Sequence, residues 1–178
     1  MSTIAFNKVD NKITVKKDKT HFLESLFVSK SYTLQIAEAM PAIKYSFKPT
    51  DSVRSFGEQM AHIAMSSKFL VDLFVKGGAM PSQEDFAAAA KMEKEMGASK
   101  EACIKALTEA YDMVATTYEN MSDEQLTETF VVPFDPKQPS FAKEKAFQFI
   151  SEHNAHHRGQ ALVALRMQGI KSPGYKLY

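Results

Sequence analysis

The sequence predicts an all-α protein, a four-helix bundle in up-down-down-up order with a long crossover between its second and third helices. Three observations predict it. Four stretches place apolar or small residues at alternating spacings of three and four, which gathers them on one helix face. That alternation is the seam of near-parallel helix packing. The connection over residues 77–98 is much longer than the first, so it can carry the chain back along the bundle and leave its flanking helices parallel.

The first helix is read from Phe22, Leu26, Ser29, Thr33, Ile36 and Met40, with Pro41 as its stop. The second follows Val53, Phe56, Met60, Ile63, Ser67, Leu70 and Phe74 as far as Gly77-Gly78, with Thr50 or Asp51 as the expected cap after Pro49. The short "MPAIKYSFKP" between them suits an antiparallel pair. The crossover contains a helical piece of its own, "SQEDFAAAAKMEKEM". A third long helix starts at the N-cap Ser99 and runs through Cys103, Leu107, Ala110, Val114 and Thr117. "SDEQLTETFVVPFDPKQP" reads as a helical turn opened by Ser122 with Gln125, then an extended run. The fourth helix is expected from Ser140 to about Gln168, where Gly169 supplies a left-handed stop. Residues 1–178 read as one domain, with 1–19 as a solvated, locally basic tail.

Composition narrows the function. The chain has 178 residues, 44% hydrophobic and 24% charged, with a formal net charge of +1. No global field draws it to nucleic acid or anionic lipid, and no basic stripe or aromatic platform offers a nucleic-acid surface. No apolar run approaches the ~20 residues of a membrane helix, and the first residues lack the apolar run of a signal peptide. One cysteine, Cys103, excludes an intrachain disulfide and fits a reducing compartment. Its helical surroundings make it a small buried hydrophobe rather than a nucleophile. The expected location is cytoplasmic and the expected partner a small-molecule substrate; a homodimer is left open.

"EHNAHHRGQ", residues 152–160, holds three of the five histidines. His153 and His157 are four apart and project from one face. Ala146, Ile150, Ala161 and Ala164 fall near the same line, so that face is the buried one. On the second helix, His62 lies beside the Met60–Ile63 stripe, one turn from Gln59 and Ser66. As antiparallel neighbours, the two helices would bring His62 and His153 to a similar level. Imidazole is a preferred ligand of zinc, nickel, copper and iron, and three protein ligands leave coordination positions open, as in catalytic sites. A hydrogen-bonded core histidine is the competing account of each residue. Arg158 is expected at the rim, Glu58 and Glu152 in solvent, and Gly159 at a close helix approach. Gln59 and Gln160 are candidates to orient an imidazole or to bond within the core.

"YSFKPTDSVRSFGEQMAHIA" (45–64) and "HNAHHRGQALVALRMQGI" (153–170), in that order and separation, make the chain resemble the DinB family of helical-bundle proteins over nearly its whole length. The family pairs a histidine on its second helix with His-x-x-x-His on its fourth, followed by Arg-Gly-Gln. The resemblance implies that His62, His153 and His157 are the ligands of a divalent metal, zinc or nickel, and that His156 is a neighbour outside the set. Relatives include metal-dependent transferases and isomerases that use bacillithiol, mycothiol or glutathione. The implied function is a transferase whose metal lowers the pKa of a low-molecular-weight thiol for attack on a halide or epoxide. Metal-assisted hydrolysis is the alternative; it needs a carboxylate base, for which Glu58, four residues before His62, is the candidate. A metal-binding bundle without catalysis is the third reading.

Overall fold

A computed structural model describes residues 19–176. Among these, α1 (Thr20–Ala39), α2 (Phe56–Leu70), α3 (Gln83–Gly97), α4 (Lys100–Asn120), α5 (Asp123–Thr127) and α6 (Lys143–Met167) form a helical bundle. A two-stranded antiparallel hairpin, β1 (Thr129–Val131) with β2 (Ser140–Ala142), joins α5 to α6. The core is apolar and drawn from every long helix, with Ile36, Met60, Leu107 and Phe147 fully enclosed.

Pairing between helices is legible in side-chain contacts. Lys30 of α1 meets Asp112 of α4 while Glu38 meets Lys100, so contacts run in opposite senses. Gln59 of α2 meets Gln160 of α6 while Ser67 meets Asn154, again oppositely. Cys103 of α4 lies against the Gly57 carbonyl at the start of α2, and Met113 shares a cavity wall with Lys68 and Asp72 near its end, so these run in the same sense. Phe22 of α1 packs on Phe147 of α6 and Thr33 meets Arg158, also in one sense.

Two expected helix starts move. α2 begins at Phe56 behind the N-cap Ser55, not behind Thr50 or Asp51. Ser55 and Glu58 form a reciprocal capping box, and the next free amides, Phe56 and Gly57, donate to the carbonyls of Phe47 and Tyr45. The loop thus satisfies the orphan donors that an earlier start would have to bury. α6 begins at Lys143 because Ser140–Ala142 pairs with β1, where Phe130 stacks on Phe74 with ring centroids 4.4 Å apart. At its far end, Gly169 (φ 72°) lets its own amide and that of Ile170 turn back onto Arg166 and Leu165, a Schellman stop. α2 continues past Leu70 as a wider π-turn, Val71–Val75.

The expected tail falls outside the described residues except for Lys19, which is bonded: its ammonium donates to the carbonyls of Glu119 and Met121. The close approach expected at Gly159 is elsewhere. Nothing lies within 4 Å of a Cβ built on Gly159, whereas one on Gly57 would sit 1.9 Å from the Gly97 carbonyl. That contact seats α3 on α2.

Candidate metal centre

α2 supplies His62 and α6 supplies His153 and His157, and the structure brings the three together, with one nitrogen from each lying within 4.8 Å of the others. Ring centroids are 4.3–5.2 Å apart. The cap of α2 moves four or five residues and the start of α6 three, yet the three rings still meet at one level.

Each Nδ1 has a protein partner. His157 Nδ1 is 2.7 Å from Gln59 Oε1, an acceptor, so it carries the proton. Gln59 is held in turn, because its Nε2 donates to Gln160 Oε1 at 2.8 Å. His153 Nδ1 is 3.2 Å from Ser66 Oγ, whose own hydrogen points to the His62 carbonyl, so the imidazole donates here also. His62 Nδ1 lies 2.6 Å from Glu93 Oε2. In each ring the network engages Nδ1, which leaves Nε2 as the nitrogen available to a ligand. Such a set fits one divalent ion: three imidazoles, each oriented through its other nitrogen. Burial, then the neighbouring His62, lowers His153 to about 4 and His157 to about 3, so both are uncharged at neutral pH.

His156 is exposed and outside the cluster; its Nε2 accepts from Gln160 Nε2. Arg158 is not at the rim but 6% exposed. Its Nη1 donates to Ser29 Oγ at 2.7 Å and Thr33 Oγ1 at 3.3 Å, and its guanidinium lies over Tyr32. The reason is angular: one residue beyond His157, a helix turns its side chain toward α1. Glu58 is not solvated and is no base for the triad, since the Ser55 cap and Lys48 hold it. Although burial acts to raise its carboxyl, those bonds keep it below the usual range. Burial lifts the Cys103 thiol to about 12, which removes it as a nucleophile.

Sequence reasoning missed Glu93. It lies in "KMEKEM", a charged run that looks solvated, and only the seating of α3 brings it to His62. A cavity of about 260 Å³ between α2 and α3 is bordered by His62, Ser66, Phe69, Phe86, Arg54 and Glu93. A larger apolar cavity of about 580 Å³, with Met65, Met92, Met96 and Met113 in its walls, touches none of the three histidines. Size therefore does not mark the site here; donor chemistry does.

Bundle and site define the class: a helical bundle presenting three histidines, from two helices, to a common point. The chain belongs to the DinB superfamily, whose sequence model matches residues 28–161. No curated protein matches it. Among solved structures it resembles a DinB-like protein from Bacillus cereus ATCC 10987 (TM-score 0.69, 16% identity, 88% of this chain and 97% of the other). YfiT from Bacillus subtilis is also similar (TM-score 0.67, 19% identity, 93% and 95%) and is described as a probable metal-dependent hydrolase with an unusual four-helix bundle topology. A further DinB-like protein of Bacillus subtilis, YjoA, matches with TM-score 0.58, 20% identity and coverages of 87% and 96%. No described helix is long and apolar enough to cross a membrane.

Proposed function

We propose that this protein is a metal-dependent enzyme in which His62, His153 and His157 hold one zinc or nickel ion, and that its reaction is the transfer of a low-molecular-weight thiol to an electrophile. The observation that carries the reading is the triad itself: one nitrogen from each ring lies within 4.8 Å of the others, and every Nδ1 is already bonded within the protein. A divalent ion held by neutral imidazoles keeps its charge and can lower the pKa of a bound thiol or water. The protein's part is to fix the rings, keep His153 and His157 unprotonated, and present a site reached from solvent past His62, whose side chain is 21% exposed. In the transfer, a sulfur–carbon bond forms as the carbon–leaving-group bond breaks, and the leaving group takes the electron pair. No protein thiol takes part, consistent with the buried Cys103. A reducing, cytoplasmic setting suits such a reaction.

The up-down-down-up order, with residues 77–98 as the crossover, belongs to the same proposal. It is supported by the opposed contact senses of α1 with α4 and α2 with α6, and the shared senses of α2 with α4 and α1 with α6.

Hydrolysis is the second reading, favoured by the likeness to YfiT, described as a probable metal-dependent hydrolase. It is less well served by the carboxylates: Glu93, the one bonded to the triad, has both oxygens engaged, by His62 and Arg54. A turnover screen with and without added metal separates the readings. Thiol-dependent loss of a halide electrophile supports the transferase and thiol-independent turnover the hydrolase. Metal-loaded protein without turnover in either assay supports a non-catalytic bundle.

A further inference from the structure

α3 is a surface helix in which Gly97 alone is fully buried, yet Glu93 within it keeps a side chain only 14% exposed. Its Oε1 accepts from Arg54 Nε at 2.5 Å and its Oε2 meets His62 Nδ1 at 2.6 Å. The carboxylate is thus pinned on one side by a guanidinium before it meets the imidazole on the other. We propose that Glu93 is a positioning residue that fixes His62 as its Nδ1–H tautomer, and that through it the docking of α3 and occupancy of the metal centre are coupled. The proposal rests on the reading above that the triad binds a metal.

The argument is one of proton placement. An imidazole donates to a metal only through an unprotonated nitrogen, and which nitrogen that is follows from the partner of the other. Of the three rings, His157 is set by Gln59 and His153 by Ser66, each acceptor lying on α2. His62 alone takes its acceptor from a helix that carries none of the three histidines. With Glu93 gone, nothing in the cluster directs its proton to Nδ1, and a proton on Nε2 would block the nitrogen left for a metal. α3 is also attached by the Gly57–Gly97 contact, by the Cys103 thiol donating to the Met96 carbonyl, and by the edge-on pair Phe69–Phe86, at 6.3 Å between centroids. Because coupling is reciprocal, whatever affinity Glu93 adds to metal binding, metal must add to the docking of α3.

The test uses the full chain, its Glu93→Gln and Glu93→Ala variants, and circular dichroism to verify folding. In metal-free protein, nitrogen-15 spectra of the imidazoles should show His62 as Nδ1–H in the wild type and in Glu93→Gln, whose amide oxygen still accepts. Glu93→Ala should lose that signature. Titration with cobalt(II) should then show affinity falling on the order of 10–100-fold in Glu93→Ala and far less in Glu93→Gln. Metal should slow amide exchange across Gln83–Gly97 in the wild type but not in Glu93→Ala. If both variants keep the tautomer and the affinity, the positioning role is overturned while the metal site stands. Equal loss in Gln and Ala would make Glu93 a ligand itself and also overturn it. A wild type that binds no cobalt overturns the metal reading, and the tautomer spectra still decide whether Glu93 sets His62.

Discussion

His157 is the most enclosed of the three imidazoles, 7% exposed, and its hydrogen-bond partner is an amide, Gln59. The chain runs from His157 through Gln59 and Gln160 to His156 at the surface. Gln59→Leu removes the inner link and leaves a buried N–H without an acceptor, so affinity for zinc should fall on the order of 10–100-fold. His156→Ala loosens only the outer link and should change it far less. Calorimetric titration of the two variants checks the order, and a larger loss in His156→Ala contradicts it. Acid adds a second expectation for the metal-free protein. His153 and His157 are lowered from 6.5 to about 4 and about 3 by burial and then by His62. Folded protein therefore binds fewer protons than unfolded protein between those values, and stability rises with pH across that window. It should be fully present above 6.5 and decline as pH falls toward 4 and 3. Urea midpoints of chelator-treated protein should drop between about pH 7 and about pH 5. Midpoints that hold steady, or that rise, contradict the assignment.

At the scale of elements, two glycines make opposite predictions. Gly57→Ala drives a methyl into the Gly97 carbonyl, backbone against backbone, and should destabilise by about 1–3 kcal/mol or unseat α3. Gly159→Ala meets nothing and replaces a poor helix former in a helix interior, so it should stabilise by up to about 1 kcal/mol. Thermal unfolding of the two variants measures both; shifts of the same sign contradict the account. The contrast also shows what the sequence made legible. Helical periodicity places every long helix, and "SQEDFAAAAKMEKEM" is recognisable as a helix because Ser82 and Asp85 cap it. The starts of α2 and α6 were not legible, since amides bonded to Phe47 and Tyr45, and a strand paired across β1, are contacts between residues distant along the chain. Glu93 was hidden for a related reason. Its role depends on where α3 docks, and the Gly57–Gly97 contact that sets this has no local signature. Arg158 misled because arginine is usually exposed, while the hydroxyls of Ser29 and Thr33 that receive it lie on α1.

At the scale of the molecule, the apolar core and the polar centre divide the work. Every long helix contributes to one continuous core, so the bundle is expected to fold without the metal. The histidines sit where two helices meet, each bonded through Nδ1 and each bringing one nitrogen to a common point. The most direct measurement is a zinc titration of the metal-free protein beside a variant in which His62, His153 and His157 are all Ala. The account predicts one ion per wild-type chain and none bound tightly by the variant, with both retaining the helical circular dichroism of a folded bundle. Wild-type protein that binds no zinc, or a triple variant that still binds one ion with undiminished affinity, contradicts it.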